Sequence, residues 1–239
     1  MSVLPRISHN PVARQNYSRL AALLTEYAPS PRVLIVGGGA LGEGMGVLDE
    51  GQDIDLIETD VYVGERTTLV CDAHDLPFRD ASFDAVVAQA VFEHVLDPYR
   101  CVAEIHRVLR PGGYVYSETP FMQQVHLGRF DFTRFTHLGH RRLLRAFKEV
   151  DSGPVGGPGE ALAWSVQYFL LAFSRRRTVR MVVRGFASVT LFWLKEVDRA
   201  LRSSPGSFDA AAGYWFLGRR SEDVLSDQDL IRQYRGAMT

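Results

Sequence analysis

The stretch RVLIVGGGALGEGMGVL, Arg32 to Leu48, decides how the rest of the chain is read. Its opening run of apolar side chains has the unbroken hydrophobicity of a strand covered on both faces. Gly37, Gly38 and Gly39 follow, then Gly42, and then an apolar segment that can be helical. Glycines permit backbone angles and close approaches that a Cβ forbids, and a helix start behind them offers free N–H groups and a partial positive charge. A turn of this kind can hold a phosphate or a carboxylate.

Outward from that turn, strands and helices alternate. Upstream, Tyr17, Leu20, Leu24 and Tyr27 fall at helical spacing from about Pro11, and Pro29 and Pro31 close the segment. Downstream, DIDLIETD reads as a second strand with an acidic end, TTLVCDAHDLPF as a short third strand entering a loop, and SFDAVVAQAVFEHV as a fourth strand entering a helix at Glu93 and His94. PYRCVAEIHRVLRPGG carries Val102, Ile105, Val108 and Leu109 on one face and stops at Pro-Gly-Gly. YVYSETPF, FKEVDSGP and AAGYWFLGRR supply strands five to seven. The order implies an α/β fold whose parallel, doubly wound sheet takes ligands beyond the carboxyl ends of its strands.

Composition narrows the partners. The 239 residues are 46% hydrophobic, enough to bury a substantial core, and 27 Lys and Arg against 28 Asp and Glu create no field that draws in nucleic acid. Two cysteines outside any C-x-x-C pair exclude a disulfide framework and point to a reduced, cytoplasmic setting. The first residues lack a signal-peptide pattern, and no apolar run approaches the ~20 residues that cross a bilayer.

In series, VLIVGGG, DAHDLPFRDASFDAVVAQAVFEHVLDP and EIHRVLRPGGYVYSETPF resemble the class I S-adenosylmethionine-dependent methyltransferases, specifically the type 11 group. The resemblance runs from about Val33 to Phe121. It implies a Rossmann-like, seven-stranded, mostly parallel sheet with an antiparallel last strand, and S-adenosylmethionine as cofactor. It places Gly37, Gly38, Gly39 and Gly42 around the methionyl end, Asp72 and Ala73 at the adenine, and Gln89 with Ala90 beside the sulfonium. The ribose ligand is the acid after strand two: Asp60 by a count back from Asp72, or Glu58 by a count from the glycines. Two positions depart from the family, since Ile35 stands where an acid is common and Leu41 replaces the third glycine. A nicotinamide-dependent oxidoreductase shares the glycine turn and the acid but not DAHDLPF or EHV. An inactive nucleoside-binding protein is the third reading.

Methyl transfer requires a positioned acceptor and, for a hydroxyl, removal of a proton. The polar segment after strand five, with His126, Asp131, Arg134, His137 and His140, supplies the candidates. His126 is the first choice as base because imidazole titrates near neutral pH, and Asp131 is the second. Arg134 can clamp an anionic acceptor or pair with Asp131. No metal is expected, because His137 and His140 have ligand spacing but no third partner. The expected acceptor is a small molecule or a glycan, methylated on oxygen or nitrogen.

The expected organisation is a helical lead-in over 1–31, a cofactor-binding core over 32–155, a helical insertion over 156–211 between strands six and seven, and a final strand and tail over 212–239. In the insertion, Arg176, Arg180 and Arg184 form a basic face opposite Val179, Val182, Val183 and Phe186. The expected roles of that segment, centred on 160–200, are an acceptor cap, a peripheral membrane contact, or packing within a monomer or homodimer.

Overall fold

A computed structural model describes residues 10–50, 53–201 and 203–237. The part of the lead-in before residue 10 lies outside the described residues. One seven-stranded sheet runs in the order β3-β2-β1-β4-β5-β7-β6. Its strands are β1 (Arg32–Val36), β2 (Asp55–Asp60), β3 (Leu69–Val70), β4 (Phe83–Gln89), β5 (Leu109–Pro120), β6 (Phe147–Pro154) and β7 (Gly213–Arg220). All neighbours pair in parallel except β7, which lies antiparallel between β5 and β6. The apolar centres of β1 (VLIV) and β4 (AVVA) explain their central place, because both sides of each are covered there.

On one face α1 (Ala13–Tyr27) buries Tyr17, Leu20 and Leu24 against Val33, Ile35, Val87 and Tyr116. On the other, α2 (Pro98–Val108) and α3 (His137–Leu143) cover Leu34, Val86, Val115 and Phe216. Asp97 caps α2 by accepting from Arg100 N–H, and Pro98 occupies its first turn, where a missing N–H costs nothing.

Two expected helices are absent. Behind the glycine turn the chain makes only a 3₁₀ turn, Met45–Leu48, entered through Gly44 at φ +81°. With GEGMG supplying three glycines in five residues, conformational entropy opposes a longer helix. Glu93 and His94 do not open a helix either: the chain after β4 passes through tight turns, and α2 begins at Pro98.

Between β6 and β7 lie α4 (Pro158–Leu171), α5 (Arg177–Thr190), α6 (Leu194–Leu201) and the single turn α7 (Gly206–Asp209). Asp198 on α6 accepts from the N–H groups of Gly159 and Glu160, so α6 caps the start of α4. Only Ala187 of α5 is buried, while Phe173, Met181, Val182 and Phe186 are 57–76% exposed. The chain ends with α8 (Asp227–Arg232). Among the described residues no helix is long and apolar enough to cross a membrane.

Candidate active site

Two cavities meet at the carboxyl edge of the sheet. The larger, about 450 Å³, lies between Gly37, the end of β2 at Asp60, the segment from Cys71 to His74 and the turns from Ala90 to Leu96, with Leu127, Phe130 and Phe132 as its outer wall. The smaller, about 110 Å³, is bounded by Ala90, Glu93, Glu118, Gln123 and His126. Ala90 lines both. It holds φ +55°, uncommon for a residue with a side chain, and its N–H donates 3.0 Å to the Glu118 carbonyl.

The two acids of β2 separate by their partners. Glu58 is buried, and both its oxygens accept from Arg66 at 2.9 Å, while the same guanidinium also binds Asp49. Asp60 stands at the cavity, where Oδ2 accepts from Gly39 N–H at 3.0 Å. The glycines explain themselves locally. Gly37 has φ +74°, and a Cβ there would lie 2.7 Å from Val91 Cγ2; on Gly39 it would lie 2.8 Å from Asp60 Oδ2. Gly37 lines the cavity, whereas Gly38 is tied beneath it by a 2.8 Å bond to the Thr59 carbonyl.

Asp72 and Ala73 line the far wall. Asp72 Oδ1 accepts from the His74 ring at 2.5 Å, and its pKa is lowered by the His74 N–H bond first of all. Gln89 is turned away, toward α1. Its amide donates to Glu118 at 2.8 Å and to the Glu43 carbonyl at 3.1 Å, its oxygen accepts from Tyr17 at 3.2 Å, and it packs over Gly42. Neither Gln89 nor Gly42 lines either cavity.

The acceptor-side segment is stapled to the turn after β4. The Glu93 carbonyl accepts from Phe132 N–H at 2.8 Å, and His94 Nδ1 lies 2.7 Å from the Phe130 carbonyl. Arg134 binds Asp131 and the carbonyls of Gln123 and Gln124, so it braces the loop and is not a free clamp. Asp131 also accepts from His126 N–H at 2.9 Å. Burial works against ionisation of Asp131, but Arg134 and His126 overcome it and hold the carboxyl well below its usual range. The His126 ring therefore stands over the smaller cavity with Nδ1 3.5 Å from Asp131 Oδ2 and Nε2 3.2 Å from His94 Nε2. Burial pushes His94 below the ordinary imidazole value.

Beneath them lies Glu93, wholly buried, with both carboxylate oxygens lacking a hydrogen-bond partner. Burial raises its pKa to about 8. Sequence reasoning gave this residue only a helix-end role. The buried Glu118 was not singled out at all, although Tyr116, Gln89 and Asn10 all donate to it and burial raises its pKa. The available signal for Glu93 was its place in VFEHV, a charged residue directly after two apolar ones shortly beyond the end of β4. His137 and His140 belong elsewhere. His140 bonds Ser117 Oγ at 2.9 Å inside the core, and His137 packs against Phe208 and Tyr214.

The larger cavity suits an adenosyl group: a carboxylate at Asp60 for the ribose diol, a second at Asp72, apolar walls at Ala73, Val91 and Leu96, and a glycine where the chain passes closest. A volume of this size lies within the range of cofactor sites. The sheet order points the same way, because an antiparallel β7 between β5 and β6 departs from the 3-2-1-4-5-6 order of dinucleotide-binding sheets.

The family model described as "Methyltransferase domain" matches residues 54–117. Over that segment the chain carries the sequence pattern of a methyltransferase domain, and its fold is one shared with S-adenosylmethionine-dependent methyltransferases. Among relatives, it is 27% identical over 141 residues to the ubiquinone/menaquinone biosynthesis C-methyltransferase of Geotalea daltonii, covering 50% of this chain and 60% of that one. The chain thus spans less than two thirds of that relative's length. A putative sarcosine dimethylglycine methyltransferase from Galdieria sulphuraria shares the fold at TM-score 0.57 and 15% identity, over 88% of this chain and 85% of that one. The 1,6-didemethyltoxoflavin-N1-methyltransferase of Burkholderia thailandensis, solved with S-adenosylhomocysteine, does so at TM-score 0.51 and 15% identity, over 86% and 78%.

Proposed function

We propose that this chain transfers a methyl group from S-adenosylmethionine to an oxygen or nitrogen of a small-molecule or glycan acceptor. The observation that carries the reading is Ala90, the shared wall of an adenosyl-sized cavity and a smaller one lined by ionisable groups. The cofactor supplies an electrophilic methyl group. Asp60 holds its ribose, Gly37 lets it approach the backbone, and Asp72 with Ala73 meets the adenine. On the acceptor side, His126 is oriented by Asp131 and placed to take up an acceptor proton. The loop from Leu127 to Phe132 keeps water from the reacting atoms.

A second reading is favoured by the relatives and by the insertion together. The Geotalea daltonii relative is named for C-methylation in quinone biosynthesis, and the apolar face of α5 is left exposed beside Arg176 and Arg184. An acceptor with a lipid tail, collected at an anionic membrane surface, accounts for both. In either case the protein works in the cytoplasm, as a monomer or homodimer.

The test is incubation with methyl-labelled S-adenosylmethionine and fractionated cell extract. Label in a water-soluble fraction supports the first acceptor class and label in a lipid extract the second. No transfer to either, at saturating cofactor, sinks the reading.

A further inference from the structure

Three polar side-chain atoms that can each offer a lone pair converge at the mouth of the smaller cavity. His94 Nδ1 faces the Phe130 carbonyl at 2.7 Å, and a carbonyl can only accept, so the proton of the neutral ring is on Nδ1 and the lone pair on Nε2. His126 Nδ1 faces the Asp131 carboxylate at 3.5 Å, which biases its proton the same way. The two Nε2 atoms then point at each other across 3.2 Å. Glu93 Oε1 completes the triangle, 3.7 Å from His94 Nε2 and 4.0 Å from His126 Nε2. Both distances are too long for hydrogen bonds, and the carboxylate is fully buried without a partner.

A buried, unpartnered carboxylate oxygen grouped with two imidazole nitrogens suits a cation. We propose that Glu93, His94 and His126 form a binding site for a divalent transition-metal ion. A point equidistant from the three atoms lies about 2.1 Å from each, the ordinary bond length from such a metal to imidazole nitrogen or carboxylate oxygen. Two histidines and one carboxylate form a ligand set used by zinc and by non-haem iron, with positions left open for substrate. Each histidine donates its other ring nitrogen outward, one to a carbonyl and one toward a carboxylate, which is how metal-bound histidines are usually oriented. The loop carrying His126 is tied to the Glu93 carbonyl through Phe132, so the site is assembled before any ion enters. It is not the His137–His140 pair, whose rings are engaged in the core.

The ion faces the 110 Å³ cavity beside Ala90. Resting on the methyl-transfer reading, its role there is to make an acceptor hydroxyl acidic at neutral pH. The hydroxyl proton passes to water, the oxygen lone pair forms the bond to the methyl carbon, and the carbon–sulfur bond breaks with its electron pair staying on sulfur. His126 acts as a ligand in this version, and the metal does the work otherwise given to a base.

The experiment is chelator treatment of the full chain, then titration with Zn²⁺ by calorimetry and with Co²⁺ by visible absorption, alongside S-adenosylhomocysteine binding. One equivalent of metal is expected, with Co²⁺ bands of low-coordinate nitrogen and oxygen ligation. His126→Asn and Glu93→Gln should each weaken metal binding at least 100-fold, and Asp131→Asn about 10-fold through lost orientation. His126 lies on the loop, so its variant keeps the test valid if Glu93→Gln fails to fold. Metal binding below stoichiometry, or indifferent to His126→Asn, overturns the site. Metal binding without S-adenosylhomocysteine binding upholds the site and overturns the methyl-transfer reading.

Discussion

Asp60 and Glu58 lie two residues apart on β2 with opposite duties, and exchanging each for alanine should separate ligand affinity from stability. Asp60 borders the larger cavity and, among the described residues, accepts from Gly39 N–H at 3.0 Å and Tyr62 N–H at 3.4 Å. Its remaining capacity suits two ribose hydroxyls. A hydrogen bond to a charged acceptor contributes about 1.5–3 kcal/mol, so Asp60→Ala should weaken S-adenosylhomocysteine binding by about 10- to 150-fold. The same change leaves the loop N–H groups of Gly39 and Tyr62 without this partner; the shorter Gly39 bond dominates, a cost of about 1 kcal/mol, or about 2–4 °C in Tm for a chain this long.

Glu58 should behave in the reverse way, because its buried carboxylate is saturated by Arg66. Glu58→Ala leaves a half-buried guanidinium with Asp49 alone, about 2 kcal/mol and about 4–8 °C, with Kd changed less than threefold. Calorimetry gives the affinities and thermal unfolding the stabilities. A large affinity loss in Glu58→Ala with none in Asp60→Ala would refute the placement of the ribose and the register reasoning behind it.

On the acceptor side, His126→Ala should lower turnover by about 10²- to 10⁴-fold while S-adenosylhomocysteine affinity stays within twofold; equal losses in both would show a structural role. His137 and His140, depressed by burial to about 4 and about 3, are neutral in the folded chain at neutral pH. Each therefore contributes stability that is present above pH 6.5 and falls by about 1.4 kcal/mol per pH unit from there toward its folded pKa, because the unfolded chain takes up the proton first. Proton NMR should find neither ring titrating above pH 5, and a midpoint near 6.5 for either would place it in water. Cosedimentation with anionic vesicles should fall at least fivefold when Arg176, Arg180 and Arg184 become glutamine together, and should weaken with salt; indifference to both removes the membrane contact.

Legibility followed the periodicity of burial. Strands such as RVLIV and FDAVVAQ are apolar over VLIV and AVVA because both faces are covered there, so these hydrophobic runs marked the sheet directly. The helix behind the glycine turn was misread because apolar spacing over Met45–Leu48 looked sufficient, whereas surrounding glycines held the segment to one 3₁₀ turn. At the site, glycines and strand-end acids stood out by type and spacing. Gln89 was placed beside the sulfonium, but its hydrogen bonds run to Tyr17 and Glu118, contacts 72 and 29 residues distant that no local pattern encodes. Glu93 failed for a related reason: a carboxylate's burial depends on the loop folded over it from 39 residues downstream. The insertion announced its aromatics but not that α5 would leave its apolar face uncovered.

The central claim is that the cavity between Gly37, Asp60, Asp72 and Ala90 holds the adenosyl cofactor with its sulfur at Ala90. A crystal structure grown with S-adenosylhomocysteine tests it most directly. The account predicts the ribose within hydrogen-bond distance of Asp60, the adenine between Ala73 and Leu96, and the sulfur against Ala90, opening toward His126. Density for the cofactor elsewhere, or an empty cavity at saturating S-adenosylhomocysteine in a protein that instead binds NADH, would contradict it.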